Sequence, residues 1–224
     1  MYHIKKTQYH IQNNILEQYA NLSSATIHEA MGRSGALDPK IKPLDRHMFA
    51  FGTALTVQCH EGDNIMLIKA ISMAKPGDFI VVDMGSAEHM GPFGEVLAVE
   101  CLTKKIAGLV LNCSIRDSNA IIDLGLPVFA AGISIRGTSK AVLGSVNHPI
   151  VCGGVYVRSG DLVVGDADGV VVVPYERAEE VLYAGLKRDR DEAVTMERLR
   201  NGESLFDLTN RQETFDRLGC REED

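Results

Sequence analysis

Positive charge is in short supply in this chain: 23 Lys and Arg stand against 30 Asp and Glu in 224 residues, a formal net charge of −7 with a sequence pI near 5.5. A dedicated nucleic-acid binder would show a basic excess or stripe, so no nucleic-acid partner is expected. Long apolar runs are also missing. The N-terminal MYHIKKTQYHIQNNILEQYA lacks the apolar core of a signal peptide, and a run such as 169–174 is too short to span a bilayer, so a cytoplasmic protein that engages no membrane is expected. The five cysteines (Cys59, Cys101, Cys113, Cys152, Cys220) are odd in number, scattered and without a C-x-x-C pair, which predicts reduced thiols. Seven histidines form no H-E-x-x-H or H-x-H, so a metal would have to be held by carboxylates. Neither G-x-x-x-x-G-K-[ST] nor a strand-linked G-x-G-x-x-G occurs, which removes the two commonest nucleotide cradles. Cofactor-free or metal-dependent chemistry remains.

What is present is a soluble globular composition, 45% hydrophobic and 24% charged, far from that of a disordered chain. The first 45 residues predict two short helices. Asn14 with Glu17 three positions on resembles a capping box, and Ser23 or Ser24 can cap a second helix that stops at Gly32. Thr53 to Cys59 alternates as a strand does. Asp63 is expected to cap a helix bearing Ile65, Ile68 and Ile71, and Lys75-Pro76-Gly77-Asp78 turns it into the strand FIVVD. After the glycine-rich loop 84–94, a helix begins near Glu95 with Leu97, Ala98, Cys101 and Leu102 at spacings of three to four. The strand GLVLN follows, and the turn CSI is expected to deliver Arg116 and Asp117 to another helix ending at Gly125. Residues 127–130 form the next strand, and a strand run is expected over 139–145. Ser159-Gly160 and Asp168-Gly169 mark hairpin turns. The final helix covers 175–199, with the charged stretch KRDRDE, and stops at Gly202. Alternating helix and strand is α/β grammar. The expected division is a helical extension over 1–45, a core domain over 46–174, and a C-terminal helix and tail over 175–224.

Two places put polar residues where the scaffold needs none. In GEVLA (94–98) a glycine loop breaks into a helix, whose first-turn N–H groups can receive an anion. Arg116-Asp117 lies at the C-terminal end of a parallel-type strand, where open α/β sheets collect ligands. Together they describe a site for a small oxo-acid. Helix-start amides at Val96 and Leu97 would hold a carboxylate, Arg116 would pair with its planar oxygens, Asp117 would anchor a divalent ion, and Glu95 would orient the ion's waters. Blander readings stand beside these. Asp117 could be a helix N-cap, Glu95 a favourable first-turn charge and Arg116 an interdomain ion pair. Asn64 reads as a turn amide rather than a ligand. His89, His28 and Glu29 read as solvated, and KRDRDE as an exposed helical face.

The strings GTALTV, GDN, KPGDFIVVD, GEVLA, GLVL…IRD, PVFAAG and GDLVVGDADGVVVVP are similar, in order and spacing, to the RraA-like family. The resemblance extends over about residues 22–202. That family includes the class II 4-hydroxy-4-methyl-2-oxoglutarate and 4-carboxy-4-hydroxy-2-oxoadipate aldolases. The resemblance implies a three-layer β/β/α swivelling-type fold with N- and C-terminal helical additions, assembled as a homotrimer or homohexamer. It implies that Arg116 contacts a pyruvate unit, Asp117 ligates Mg²⁺ or Mn²⁺, Glu95 bonds to the metal's waters, and Gly94 with the amides of Val96 and Leu97 receives the substrate. It also implies that Glu192, on the C-terminal helix, reaches a neighbouring subunit's site.

This chain departs from the family in having Asn112-Cys113 where Asp-Gly is usual, and a thiol there is expected to crowd the site or alter substrate choice. The implied activity is metal-dependent retro-aldol cleavage of a 4-hydroxy-2-oxo di- or tricarboxylic acid to pyruvate and a second oxo-acid. Oxaloacetate decarboxylation would pass through the same enolate. Lysine Schiff-base chemistry ranks below this route, because no motif string sets a lysine beside Arg116. The rival class is a non-catalytic RraA-type regulator that binds an endoribonuclease.

Overall fold

The structure, a computed structural model, describes residues 3–5, 11–85 and 87–220. Parts of the expected helical extension (1, 2 and 6–10), of the glycine loop (86) and of the C-terminal tail (221–224) lie outside the described residues.

The order of elements is β1 (His3–Ile4), α1 (Asn13–Leu16), α2 (Ser24–Ala30), β2 (Lys42–Pro43), β3 (Ala50–Gln58), α3 (Ile65–Met73), β4 (Asp78–Asp83), α4 (Glu95–Thr103), β5 (Gly108–Ile115), α5 (Ser118–Leu124) and β6 (Val128–Ile133). There follow β7 (Ser145–Val146), β8 (Ile150–Cys152), β9 (Val155–Val157), β10 (Leu162–Gly165), β11 (Val170–Val173), α6 (Ala178–Arg200), α7 (Leu205–Leu208) and α8 (Arg211–Leu218). Strands β3, β4, β5 and β6 pair in parallel, in that spatial order, with α3, α4 and α5 as the crossovers. Antiparallel additions complete the sheet: β10 on β3, β11 on β10, β2 on β6 and β7 on β3.

Strand β4 shows why the sequence makes layers. Ile80 and Val82 point into a core shared with α3, α4 and α5, whereas Phe79 and Val81 point into a second core closed by the β8–β9 ribbon. Alternate residues face opposite sides of a strand, so a strand buried on both faces must be apolar throughout. Helices, sheet and ribbon are the three layers that the resemblance implied. On the outer face of β10 and β11, Leu162, Val164, Val171 and Val173 pack against Tyr19, Leu22 and Ile27 of the N-terminal segment and Val181 and Leu182 of α6. The Tyr19 hydroxyl donates to the Ala178 carbonyl (2.6 Å), tying the two helical additions together. Among the described residues no helix is long and apolar enough to cross a membrane.

Four local expectations fail for physical reasons. Asn14 is inside α1, whose N-cap is Gln12 without a side-chain cap, so no capping box forms; Ser23 does cap α2 by accepting the Thr26 N–H. Strand β3 is a central strand buried almost throughout rather than an alternating one. Cys113, Ser114 and Ile115 are not a turn: after an irregularity between Leu111 and Ser114 the strand stays paired to β6 as far as Ile115. Residues 134–144 form no strand run; they cross the ends of the parallel strands as irregular backbone.

Candidate active site

Three stretches meet beyond the C-terminal ends of β4, β5 and β6: the loop 84–94, the junction at Arg116-Asp117 and the segment 134–144. Main-chain atoms hold them together. Gly91 N–H donates to the Arg136 carbonyl (2.8 Å), Arg116 N–H to the Phe93 carbonyl (2.9 Å) and Ser134 N–H to the Ile115 carbonyl (2.8 Å). The Ser114 hydroxyl and N–H both donate to the Glu88 carbonyl, at 2.6 and 2.9 Å.

Between these stretches and α3 lies a cavity of about 320 Å³, within the size range of small-molecule sites. Gly91, Pro92, Gly94, Val96 and Leu97 form one wall, Asn64 and Ile68 a second, and Arg116, Gly137, Thr138 and Lys140 the remainder. Sequence reasoning reached Gly94, Val96, Leu97 and Arg116 but missed Lys140 and Thr138 and set Asn64 aside. The polar, non-alternating run Arg136-Gly137-Thr138-Ser139-Lys140 was the available signal for the missed wall.

Asp117 sits at the head of α5 in a left-handed conformation (φ 57°, ψ 37°) and its side chain does not cap that helix. Asp117 is therefore the N-cap by position, but its side chain is not spent on capping. Its Oδ2 instead accepts the Glu95 N–H across the junction (3.1 Å) and lies 3.6 Å from Arg116 Nε. Left-handed backbone at a non-glycine residue is uncommon and collects at functional sites. Gly94 makes the approach possible: a Cβ there would stand 2.3 Å from Asp117 Oδ2 and 3.1 Å from Arg116 Nε. Because α4 forms its first intrahelical bond from Ala98 N–H to the Gly94 carbonyl (3.1 Å), the Val96 and Leu97 amides precede the ladder and remain available to a ligand. Arg116 and Asp117 are both about half exposed, so their contact adds little stability and leaves the guanidinium free to bind.

Asn64 is the second polar feature. It is buried, its Nδ2 donates to the Pro92 carbonyl (2.7 Å), and its Oδ1 is buried without a hydrogen-bond partner. That donation fixes the amide orientation, so the orphaned atom is a carbonyl oxygen enclosed within the wall that Asn64 helps to form. Buried polar atoms without partners are rare enough in folded proteins to need a cause.

Glu95 is exposed beside Asp117 and does not line the cavity. Glu192 is far along α6, paired with Arg188 (2.8 Å) and half exposed; it is not in its own chain's cavity wall. Cys113 corrects the expectation of crowding: its side chain is fully buried in the helix-side core, beyond the cavity wall, with burial pushing the thiol pKa up. Asn112 donates to Asp83 Oδ1 (2.6 Å) and accepts the Met84 N–H (2.8 Å), closing the base of the loop that follows β4.

Among the described residues no three His, Cys, Asp or Glu side chains group closely enough to hold a metal ion. A hard cation such as Mg²⁺ needs no such cage, since it takes one or two carboxylates and keeps several waters. Asp117, half exposed, with Oδ2 meeting one N–H and beside a glycine that leaves room, fits that sparse mode.

The α/β scaffold thus brings the first turn of α4 and the Arg116 guanidinium to one cavity at its strand ends, with the Asp117 carboxylate, outside the cavity lining, in contact with both. The chain belongs to the RraA-like family: the family described as Aldolase/RraA matches residues 24–172. A relative from Halalkalibacterium halodurans, named "Putative 4-hydroxy-4-methyl-2-oxoglutarate aldolase", is 37% identical over 179 residues, covering 80% of this chain and 85% of that protein. The crystal structure of an uncharacterized protein from Pseudomonas syringae superposes with a TM-score of 0.78 at 27% identity, covering 90% of this chain and 95% of that one. That of Streptomyces coelicolor RraAS2, described as an unusual member of the RNase ES inhibitor RraA protein family, gives a TM-score of 0.76 at 26% identity, covering 84% and 98%.

Proposed function

We propose that this protein is a pyruvate-forming carbon–carbon lyase. It would cleave a 4-hydroxy-2-oxo di- or tricarboxylic acid into pyruvate and a second oxo-acid, and decarboxylate oxaloacetate through the same enolate. The observation that carries the reading is the junction of Gly94, Arg116 and Asp117: Gly94 and Arg116 line the cavity, and Asp117, outside its lining, stands against both. The name of the Halalkalibacterium relative supports it.

The Val96 and Leu97 amides would receive the substrate carboxylate at the positive end of α4. Arg116, beside them, would pair with the keto oxygen and hold the negative charge that gathers there as the C3–C4 bond breaks. The C4 hydroxyl proton would pass to water at the cavity mouth, which would return a proton to C3 of the enolate, and Lys140 would face the substrate's far carboxylate. Asp117 would hold Mg²⁺ or Mn²⁺; bound there, the cation would supply Lewis acidity at the keto oxygen. Glu95, next to Asp117, would order water at the mouth of the cavity. Glu192 does not line its own chain's cavity, so any part for it in the reaction requires a homotrimer or homohexamer in which it enters a neighbouring copy's site. Free thiols at all five cysteines suit a cytoplasmic setting.

The test is pyruvate release from oxaloacetate and from a 4-hydroxy-2-oxo diacid. Activity with Mg²⁺ that is lost with chelator and in Asp117→Ala supports the lyase. The likeness to RraAS2 favours a second reading, a regulator that binds an endoribonuclease. Inactivity under every condition, with tight binding to such an enzyme, would establish that reading instead.

A further inference from the structure

Asp63 is 1% exposed and absent from the cavity wall, yet both its neighbour Asn64 and the distant Lys140 line that wall. Its carboxylate joins the two. Oδ1 accepts the Ile65 N–H at the start of α3 (2.9 Å). Oδ2 accepts three donors from across the cavity: the Ser139 hydroxyl (2.6 Å), Ala141 N–H (2.6 Å) and Val142 N–H (3.0 Å). Main-chain bonds run alongside, from Ser139 N–H to the Gly62 carbonyl (2.8 Å) and from Asn64 N–H to the Ser139 carbonyl (3.1 Å).

The donors on Oδ2 come from both sides of Lys140. The segment they belong to, 134–144, forms no strand and pairs by a single bridge between Ser139 and Asp63, and Ser139, Lys140, Ala141 and Leu143 on it are exposed. Main-chain bonds hold the segment as far as Ser139, whereas Asp63 takes the N–H groups of Ala141 and Val142 beyond it, and a long lysine side chain loses considerable rotamer entropy when held in one place. A charged acceptor that gathers three donors is among the stronger local restraints a protein can build, since charge-assisted hydrogen bonds are about twice as strong as neutral ones.

We propose that Asp63 is the positioning residue of the cavity. By clamping 139–142 against the start of α3 it presents Lys140 to the far carboxylate of the substrate, opposite the amides that take the near one. This rests on the lyase reading above. Asp63 touches no substrate atom and acts through Lys140.

Steady-state kinetics on a 4-hydroxy-2-oxo diacid, using the full-length assembled protein, test the proposal in Asp63→Asn, Ser139→Ala, Lys140→Met and the double variant Asp63→Asn/Lys140→Met. The expected result is a KM raised about tenfold in Asp63→Asn and in Lys140→Met with kcat within about threefold, and a double variant no worse than Lys140→Met alone, because the two act as one unit. Ser139→Ala, which removes one donor and leaves the carboxylate, is expected to raise KM by a smaller factor. Multiplying effects in the double variant would overturn the clamp, since a merely structural role adds its cost independently. So would a fall in kcat with KM unchanged. If Asp63→Asn does not fold, Ser139→Ala decides, and an unaltered KM there overturns the proposal. An unsubstituted protein that releases pyruvate from no oxo-acid overturns the lyase reading itself, and the clamp's catalytic role with it; an active protein with additive effects overturns the clamp alone.

Discussion

Asp117 Oδ2 accepts the backbone N–H of Glu95 at 3.1 Å, although 22 residues separate the two in the chain. This one contact fixes the first turn of α4 against the end of β5, and therefore sets where the Val96 and Leu97 amides stand relative to Arg116. Removal of the carboxylate should do more than remove a metal ligand. In Asp117→Ala, excess Mg²⁺ or Mn²⁺ is expected not to restore pyruvate release, and the affinity for a pyruvate analogue such as oxalate, measured calorimetrically, should fall as well.

Gly94 is needed for its lack of volume, since its backbone is extended (φ −154°) and tolerates any residue. An added Cβ would stand 2.3 Å from Asp117 Oδ2. Gly94→Ala is expected to lower kcat/KM by about a hundredfold or more by displacing Asp117 and Arg116, a misplacement of the order of 1 Å. The melting temperature should change far less than the activity, and a parallel loss of both would contradict the account.

Arg116→Lys keeps the charge and loses the planar fork. If the guanidinium grips two oxygens, kcat/KM should fall about 10²–10³-fold, the range for loss of one oxyanion donor. Stability should hardly move, because the side chain is half exposed.

Stability in acid should report on Asp63. Burial alone would raise its pKa, but the Ala141 N–H, the Ser139 hydroxyl and the Ile65 and Val142 N–H groups outweigh it and hold the carboxyl near 2. A folded-state pKa below the unfolded value means that the group stabilises fully above about pH 4 and that this contribution disappears as pH falls towards 2. Asp63→Asn should therefore cost on the order of 2 kcal/mol at neutral pH, with the gap to the unsubstituted protein closing across that window in denaturant titrations.

Cys113 gives the opposite kind of forecast. Its side chain fills the helix-side core and leaves the cavity alone. Cys113→Gly should cost about 2 kcal/mol through the void and the added backbone freedom. KM for any oxo-acid should stay where it is.

The part of the site that could be read from sequence is the part built at chain punctuation. Gly94 ahead of Glu95 and Arg116 ahead of a helix are local signs of a strand-to-helix junction, and the apolar run of β4 announces a strand covered on both faces. The wall carrying Lys140 gave a weaker sign, the polar run 136–140, which runs into a strand-like stretch. Residues 139–145 imitate a strand in composition, yet the donors of Ser139, Ala141 and Val142 go to a side chain more than 70 positions earlier. The burial of Asn64 was illegible for the same reason: its amide bonds to the Pro92 carbonyl, 28 positions away, which no local window contains. Asn14 and Glu17 matched a capping pattern, but α1 began two residues too early to use it.

The stretches around the cavity are fastened mainly by peptide groups, with Gly91 bonded to the oxygen of Arg136 and Arg116 to that of Phe93. Such fastenings are indifferent to residue type. Mutation can therefore repaint the inner lining while the frame stays put, and that gives a physical reason why one architecture can carry relatives whose names range from an aldolase to a ribonuclease inhibitor.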